Sequence, residues 1–189
     1  NARLTKTSTE SSWRNGGITT NLLPANTDGW MEFTGWNGAN YRVGLAANNM
    51  INYTEFTNSI LVDHETGRAI AQEDNAATSL GSLQNGDVFR ISREGSYVKY
   101  YRNGVLLRTI GVNPSFELKV KASIYYTGST TPTINASFDN QIFLNGGATG
   151  IDESTGLGNI TVNAYGGTAP YTYTWSGGEQ TNSITDKPQ

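Results

Sequence analysis

Residues 86–109, GDVFRISREGSYVKYYRNGVLLRT, limit the possible folds most strongly, because apolar and polar residues alternate through them. A period of two is that of a β-strand with one buried and one solvated face. Two turn signals interrupt the alternation, Glu94-Gly95-Ser96 and Asn103-Gly104, and Asn-Gly is typical of type I′ turns, in which both central residues need positive φ. The stretch therefore predicts three consecutive antiparallel strands. The expected core-facing residues are Phe89, Ile91, Val98, Tyr100 and Leu106, and the expected solvent-facing residues are Arg90, Ser92, Lys99, Tyr101 and Arg108.

Similar alternation recurs on both sides of this stretch. Residues 30–33 (WMEF) and 41–46 (YRVGLA) flank a Gly- and Asn-rich turn and predict a second hairpin. Residues 116–126 (FELKVKASIYY) predict a strand with one solvated and one buried face. The expected solvent-facing residues are Glu117, Lys119, Lys121 and Ser123, and the expected core-facing residues are Phe116, Leu118, Val120, Ala122 and Ile124. Counting in this way gives roughly ten to twelve short strands separated by turns. We therefore expect an all-β chain, folded as a two-sheet antiparallel sandwich.

Charge and composition exclude several classes of partner. The net charge is −3, and the 13 basic residues are scattered along the chain, so we expect neither nucleic acid nor an anionic membrane as a partner. No apolar run is long enough to span a bilayer, which predicts no membrane insertion. The absence of cysteine excludes disulfides, thiolate zinc sites and a cysteine nucleophile.

The composition changes near residue 148. We predict a β-sandwich domain over residues 1–147, a Gly-rich linker over 148–158 and an incomplete Ig-like β module over 159–189. In the last module, residues 160–164 and 171–175 are the expected strands, and about 30 residues are too few to close a sandwich core. The chain begins with Asn1 rather than Met, so we expect a mature product or an excised piece. Trp13, Trp30 and Trp175 are expected to anchor cores.

Four segments of the first domain carry a family resemblance. DGWMEF (28–33), YRVGL (41–45), GDVFRI (86–91) and YYRNG (100–104) resemble concanavalin A-like lectin/glucanase domains of large bacterial surface proteins. The similarity covers most of residues 1–147. It implies a jelly-roll sandwich, and its motifs are structural rather than ligand-specific.

The tail carries a second resemblance. GGTAPYTYTWS (166–176) resembles the SprB-type repeat of cell-surface adhesins in gliding and related Bacteroidetes. The resemblance implies a very long, multi-repeat adhesin, extracellular at the bacterial surface or secreted, exported by the type IX system and connected with gliding motility. Its partners would be a surface polysaccharide or glycan and the neighbouring repeats of the same chain.

Catalytic and metal sites have little support in the sequence. Glycosidases on this scaffold often carry paired carboxylates as Glu-x-Asp-x-x-Glu, whereas Glu32 stands alone in its strand, so we predict a non-enzymatic protein. His64 is the only histidine, so a Ser-His-Asp triad would have to include it. It lies in an expected loop. We predict no metal and no cofactor. Structural calcium stays the less favoured alternative, with possible oxygen ligands in Asp63, Glu65, Glu73, Asp74 and Asp139 but without an Asp-x-Asp-x-Asp-Gly loop.

Aromatic and polar residues outside the expected core define a candidate carbohydrate site. Trp36 lies in a Gly/Asn turn between amides that can donate and accept hydrogen bonds beside a stacking surface. The candidate residues are Trp36, Asn37, Asn40, Arg42, Tyr53 and Tyr101. The first hypothesis is an adhesion module that binds glycans weakly and multivalently. The alternatives are a structural spacer without a ligand and, less favoured, a glycoside hydrolase.

Overall fold

The computed structural model describes residues 4–13, 16–47, 55–73, 76–138, 142–152, 157–166, 171–175 and 179–188. The chain forms two compact units, Asn1–Asp139 (unit 1) and Asn140–Gln189 (unit 2). All regular secondary structure in the described residues is β-strand. In this part of the chain no helix long and apolar enough to cross a membrane occurs.

Unit 1 is an antiparallel jelly-roll sandwich, as predicted. Its strands are β1 (Gly16–Ile18), β2 (Gly29–Thr34), β3 (Tyr41–Ala47), β4 (Asn58–Asp63), β5 (Arg68–Glu73), β6 (Ala76–Ser82), β7 (Val88–Glu94), β8 (Tyr97–Arg102), β9 (Val105–Gly111), β10 (Leu118–Ile124) and β11 (Ile134–Ala136). One sheet has six strands in the order β1-β10-β3-β4-β5-β6. The other has five strands in the order β11-β2-β7-β8-β9.

The core lies between the inward faces of the two sheets. Alternate residues of β2, β3, β7 and β8 are fully buried, as the period of two requires. The rings of Phe33 and Phe89 stack within the five-stranded sheet, with their centroids 5.6 Å apart. Tyr41, from the six-stranded sheet, contacts Phe33 edge-on, with the ring centroids 6.0 Å apart. Aromatic side chains therefore join the two layers at the centre of the core.

The predicted β-meander is confirmed as β7, β8 and β9. Asn103 and Gly104, which connect β8 to β9, have φ values of 51° and 79°. Both central residues of the turn are thus left-handed, as a type I′ turn requires. The backbone explains the choice of Asn-Gly here, because few other residues adopt this conformation without strain.

The faces predicted for β9 are wrong. A register shift follows Tyr100, so that Tyr100 pairs with Arg108 whereas Tyr101 pairs with Leu106. Leu106, opposite the outward-facing Tyr101, is 48% exposed on the outer face, and the shift after it turns Arg108 towards the core side of the sandwich. Arg108 there donates two hydrogen bonds to Glu73 of β5, at 2.7 and 2.6 Å. One extra residue in a strand inverts every later side chain, and simple alternation cannot reveal it.

The predicted hairpin between 30–33 and 41–46 is also wrong. The strand β2 pairs with β7 and β11, while β3 pairs with β10 and β4. Residues 35–40 therefore carry the chain from one sheet to the other. Both strands present an apolar face to the same core, so alternation alone does not distinguish this crossing from a hairpin.

The strand β10 differs from its predicted pattern at both faces. Phe116 precedes the strand and is 53% exposed instead of facing the core. Lys121 and Ser123, expected to face water, are 1% and 0% exposed. Because β10 lies between β1 and β3, and Glu55 and Phe56 approach Lys121, the outer face of the sheet is covered at this point.

Unit 2 contains a three-stranded sheet. Its strands are β12 (Ile142–Asp152), β13 (Leu157–Gly166) and β14 (Ser183–Pro188), in the order β12-β13-β14. The expected strand at 160–164 lies within β13, and much of the stretch expected as a linker lies in β12 and β13. Residues 171–175 are not part of a strand, but the indole Nε1 of Trp175 donates to the carbonyl of Thr181 at 2.8 Å.

Candidate functional site

A groove of about 380 Å³ lies on the outer face of the five-stranded sheet. We call it the outer groove. Its lining includes Asp28, Trp30, Glu32, Arg90, Glu94 and Tyr101. The strands β2, β7 and β8 are neighbours, and the solvent-side residues of each point outwards, so side chains far apart in sequence share this face.

Trp30, Arg90 and Glu32 form a stacked cluster at the β2 side of the groove. The guanidinium carbon of Arg90 lies 4.4 Å from the ring centroid of Trp30, within the range of cation–π attraction. Nε and Nη2 of Arg90 both donate to Oε2 of Glu32, at 2.9 and 2.7 Å. Glu32 stands opposite Arg90 in the β2–β7 register, so the sheet itself fixes this pair.

Glu94 is the centre of a second cluster on the same face. Its carboxylate accepts hydrogen bonds from Ser92 Oγ at 2.7 Å, from Tyr101 Oη at 3.0 Å and from the ammonium of Lys99. The bonds from Lys99 and then Ser92 are the main reasons why the pKa of Glu94 is lowered. Glu94 therefore stays ionised and holds Tyr101 and Lys99 in fixed positions.

Arg93, between these clusters in sequence, plays a structural role. It is 1% exposed and points the opposite way from Ser92 and Glu94. Its guanidinium donates to the carbonyls of Thr27 at 2.8 Å and Phe116 at 2.6 Å, and also to that of Pro24. These bonds tie two loops together and leave the charge enclosed by carbonyl oxygens.

Sequence reasoning identified only part of the outer groove. Tyr101 was a candidate residue and lies in it, and Arg90 and Lys99 were placed on the correct face. Trp30 was expected in the core but is half-buried on the outer face. The available signal was its phase, because Trp30 alternates with the core residues Met31 and Phe33.

Trp36, Asn37 and Asn40 lie together at one end of the sandwich, in the loop between β2 and β3. Trp36 is 46% exposed, and its ring covers Gly38, where an added Cβ would come within 1.9 Å of the indole. The backbone N–H of Trp36 donates to the hydroxyl of Tyr41 at 2.9 Å, which anchors the loop to the core. The predicted exposure of Trp36 is therefore present.

The amides beside Trp36 are engaged within the protein. Asn40 Oδ1 accepts the backbone N–H of His64 at 2.6 Å, and Asn37 Oδ1 lies 3.2 Å from the Nδ1 atom of His64. The neighbouring Glu65 accepts a hydrogen bond from Tyr126 at 2.5 Å. These contacts join the β4–β5 loop to the β2–β3 loop and to the segment after β10, and those of Asn37 and Asn40 use amide oxygens that a ligand would need.

Arg42 lies on the opposite side of the sandwich from Tyr101. It projects from the outer face of β3, where its Nε donates to Ser59 Oγ at 2.7 Å. Its guanidinium carbon lies 4.4 Å from the ring centroid of Phe56, which is buried. Burial is the main cause of the lowered pKa of Arg42.

The predicted carbohydrate-site residues thus lie in three separate places. Tyr101 lies in the outer groove, Arg42 on the outer face of β3, and Trp36, Asn37 and Asn40 in the β2–β3 loop. Tyr53 lies outside the described residues.

The proposed oxygen ligands for calcium have other partners where they are described. Asp63 accepts hydrogen bonds from the backbone of Glu65 and Thr66 and from the Thr66 hydroxyl, in a turn. Glu73 is paired with Arg108. Asp74 and Asp139 lie outside the described residues. No group of three or more His, Asp or Glu side chains placed to hold a metal occurs in the part of unit 1 and unit 2 that the structure describes.

Residues 158–180 match the SprB repeat family, which is found in cell-surface proteins. This match covers β13 except its first residue and continues to residue 180, past Trp175, and it confirms the resemblance seen in the tail. No curated protein matches the chain at a significant level.

Solved structures with a similar fold include a SPRY domain, a galectin and an enzyme. The SPRY domain of human HERC1 is 11% identical over 64% of this chain and 80% of its own, with a TM-score of 0.43. A toad ovary galectin, solved with thio-digalactose, is 10% identical over 65% of this chain and 97% of its own, with a TM-score of 0.40. A laminarinase catalytic domain from Thermotoga petrophila is 12% identical over 61% of each chain, with a TM-score of 0.36. Likenesses at this level carry no argument about ligand or activity.

Proposed function

We propose that this chain is a non-enzymatic adhesion module of a large cell-surface protein, and that unit 1 binds a glycan weakly in the outer groove. The observation that carries the proposal is the outer groove itself. It combines two half-buried aromatic side chains, Trp30 and Tyr101, with acids and bases whose positions are fixed by hydrogen bonds. Apolar surface beside a few well-placed polar groups is the usual composition of a small-ligand site.

Weak binding at one site suits a repeated surface protein. Tethering several modules raises the effective concentration of the second site, so avidity can exceed the affinity of one module by orders of magnitude. The SprB match supports a surface or secreted location and neighbouring repeats as partners. We propose in addition that the protein is a gliding-type adhesin exported by the type IX system, a proposal that the SprB match supports.

The charges in the outer groove favour binding over hydrolysis. A glycosidase acid needs a raised pKa so that it carries a proton near neutral pH. The pKa of Glu94 is lowered instead, by the donors around it. Glu32 lies opposite Arg90 in the β2–β7 register and accepts two hydrogen bonds from its guanidinium, so this carboxylate is held in an ion pair.

The test is glycan-array binding of the whole chain displayed multivalently on beads, with calcium and with chelator. We expect reproducible binding that is lost in Trp30→Ala and weakened in Tyr101→Ala, and that survives chelation. Trp36→Ala is the matched control, because it removes an exposed Trp from the loop end without touching the outer groove.

The alternatives give different results in the same assay. Loss of binding in Trp36→Ala but not in Trp30→Ala would move the site to the loop between β2 and β3. Folded protein that binds no glycan under either condition would favour the spacer, and release of reducing ends from a bound glycan would establish a hydrolase.

A further inference from the structure

We infer that the outer groove takes an uncharged, hydroxyl-rich sugar and discriminates against sugars that carry carboxylates or sulfates. This inference rests on the proposed function, because it names the substrate class of the same groove. Its basis is the partner of each cation on that face.

Arg90, one of the two arginines that line the groove, already has a carboxylate partner. Its Nε and Nη2 atoms, the side of the fork that grips a carboxylate in two places, both donate to Oε2 of Glu32. Its flat face lies against Trp30 at 4.4 Å. A uronate or sulfate would therefore have to displace Glu32 to use this side of the fork, and at the remaining edge it would meet a guanidinium whose charge Glu32 already compensates.

The other two cations near the groove are engaged in the same way. The ammonium of Lys99 is bound to Glu94, and the side chains of this pair are 27% and 39% exposed. Arg93 is 1% exposed and donates to backbone carbonyls. Neither presents an open positive charge to a ligand.

The acids of the groove add to this discrimination. Asp28, Glu32 and Glu94 all line it, and Asp28 is exposed, with Oδ1 accepting the backbone N–H of Gly95 at 2.7 Å. Glu32 and Glu94 are each paired with a cation, so Asp28 supplies the main like-charge repulsion that an anionic sugar would meet. Sugar hydroxyls, by contrast, can donate to these oxygens and accept from the remaining N–H groups of Arg90 without separating an ion pair.

The experiment measures binding of the whole chain, displayed multivalently, to length-matched probes at low and physiological ionic strength. The uncharged probes are cello-, laminari- and galacto-oligosaccharides. The charged probes are oligogalacturonate, oligoalginate and a sulfated heparin oligosaccharide. We expect at least one uncharged probe to bind about tenfold or more tighter than every charged probe, which corresponds to about 1.4 kcal/mol. Salt should change the uncharged binding little.

A pair of variants separates the pairing of Arg90 from net charge. Glu32→Gln removes the anion that occupies Arg90, and we expect the affinity for a uronate probe to rise about fivefold or more. Glu117→Gln changes the net charge by the same amount at an exposed position outside the outer groove, and the same affinity should change less than twofold. Thermal unfolding of each variant checks that it is folded.

The possible results are distinct. Wild-type preference for a charged probe, or equal gains in the two variants, would overturn the inference while leaving glycan binding intact. Wild-type protein that binds no probe of either kind would contradict the proposed function as well. The comparison of probes on wild-type protein needs no variant, so it can overturn the inference even if a variant fails to fold.

Discussion

The two outer faces of unit 1 hold the same kind of contact in opposite surroundings. On the five-stranded sheet, Arg90 stacks on Trp30 at 4.4 Å beside an open groove. On the six-stranded sheet, Arg42 stacks on Phe56, also at 4.4 Å, but Phe56 is 5% exposed and the nearby Lys121 is 1% exposed. One arginine–aromatic pair lies beside an open groove, while the aromatic ring of the other is buried.

The difference shows that a cation stacked on an aromatic ring, on the outward side of a strand, does not by itself indicate a binding surface. Both arginines were expected on solvated strand faces, and both do point away from the core. Only the chain packed over the sheet decides whether such a face is a binding surface. Glu55 and Phe56 supply that cover for Lys121, whose Nζ donates to the Glu55 carbonyl at 3.0 Å.

The largest expected effect separates the two aromatic rings. Phe56→Ala should lower the free energy of unfolding by about 3–4 kcal/mol, because it removes a buried ring and uncovers two cations. Trp30→Ala, at a half-buried position, should cost about 1–2 kcal/mol. Chemical denaturation followed by circular dichroism measures both. Equal costs would mean that the two faces are not differently covered.

Much of this contrast could not be predicted from sequence. The period of two identified β2, β3 and β7 to β10 as strands and the core side of β7 and β8, and Asn103-Gly104 identified a turn with the φ values that Asn and Gly favour. It could not identify which strands share a sheet, because β2 and β3 line the same core from opposite layers. It could not identify the bulge before Arg108 or the cover over Lys121, because both depend on residues distant in sequence.

A second prediction compares a buried ion pair with an open one. Asp87 is 6% exposed and is bonded by Arg102, Gln84 and Asn103. Asp87→Asn should cost about 2–3 kcal/mol at neutral pH, because it leaves the Arg102 charge without its carboxylate. Glu94→Gln, in the more exposed pair with Lys99, should cost less than about 1 kcal/mol.

The cost at Asp87 should also depend on pH. Burial raises the pKa of Asp87, but the bonds from Arg102, Gln84 and Asn103 outweigh it and hold the pKa below its ordinary value of 3.8. A carboxyl with a lowered folded-state pKa contributes stability above its unfolded pKa and loses it as the pH falls through the folded value. The difference between wild type and Asp87→Asn should therefore be constant above about pH 5 and shrink below pH 3.8. A difference that is unchanged at pH 2–3 would contradict this assignment.

A third, smaller effect tests the register of β9. Arg108→Ala should cost about 1–2 kcal/mol, because it breaks a pair in which the Glu73 side chain is only 10% exposed. Leu106→Ser should change stability by less than about 0.5 kcal/mol at its exposed position. Small costs for both variants would place Arg108 on the outer face with Leu106, as a β9 without the bulge requires.

The smallest expected effect on stability is at Tyr101. Tyr101→Phe removes one hydrogen bond to the partly exposed Glu94 and should cost less than about 0.5 kcal/mol. If Tyr101 supports a ligand in the outer groove, the same variant should still weaken glycan binding severalfold. Thermal unfolding and bead binding of the same preparation measure the effects on stability and on glycan binding. Unchanged binding would show that the Tyr101 hydroxyl does not contact the glycan.

The most direct test of the outer groove is the NMR signal of each indole N–H during titration with the best-bound uncharged oligosaccharide. The four Trp residues give separate signals, assigned by single substitution. We predict that the Trp30 signal shifts in a saturable way while the Trp36 signal stays in place. A saturable shift of Trp36 with a stationary Trp30 would contradict the account and place the ligand at the loop end of the sandwich.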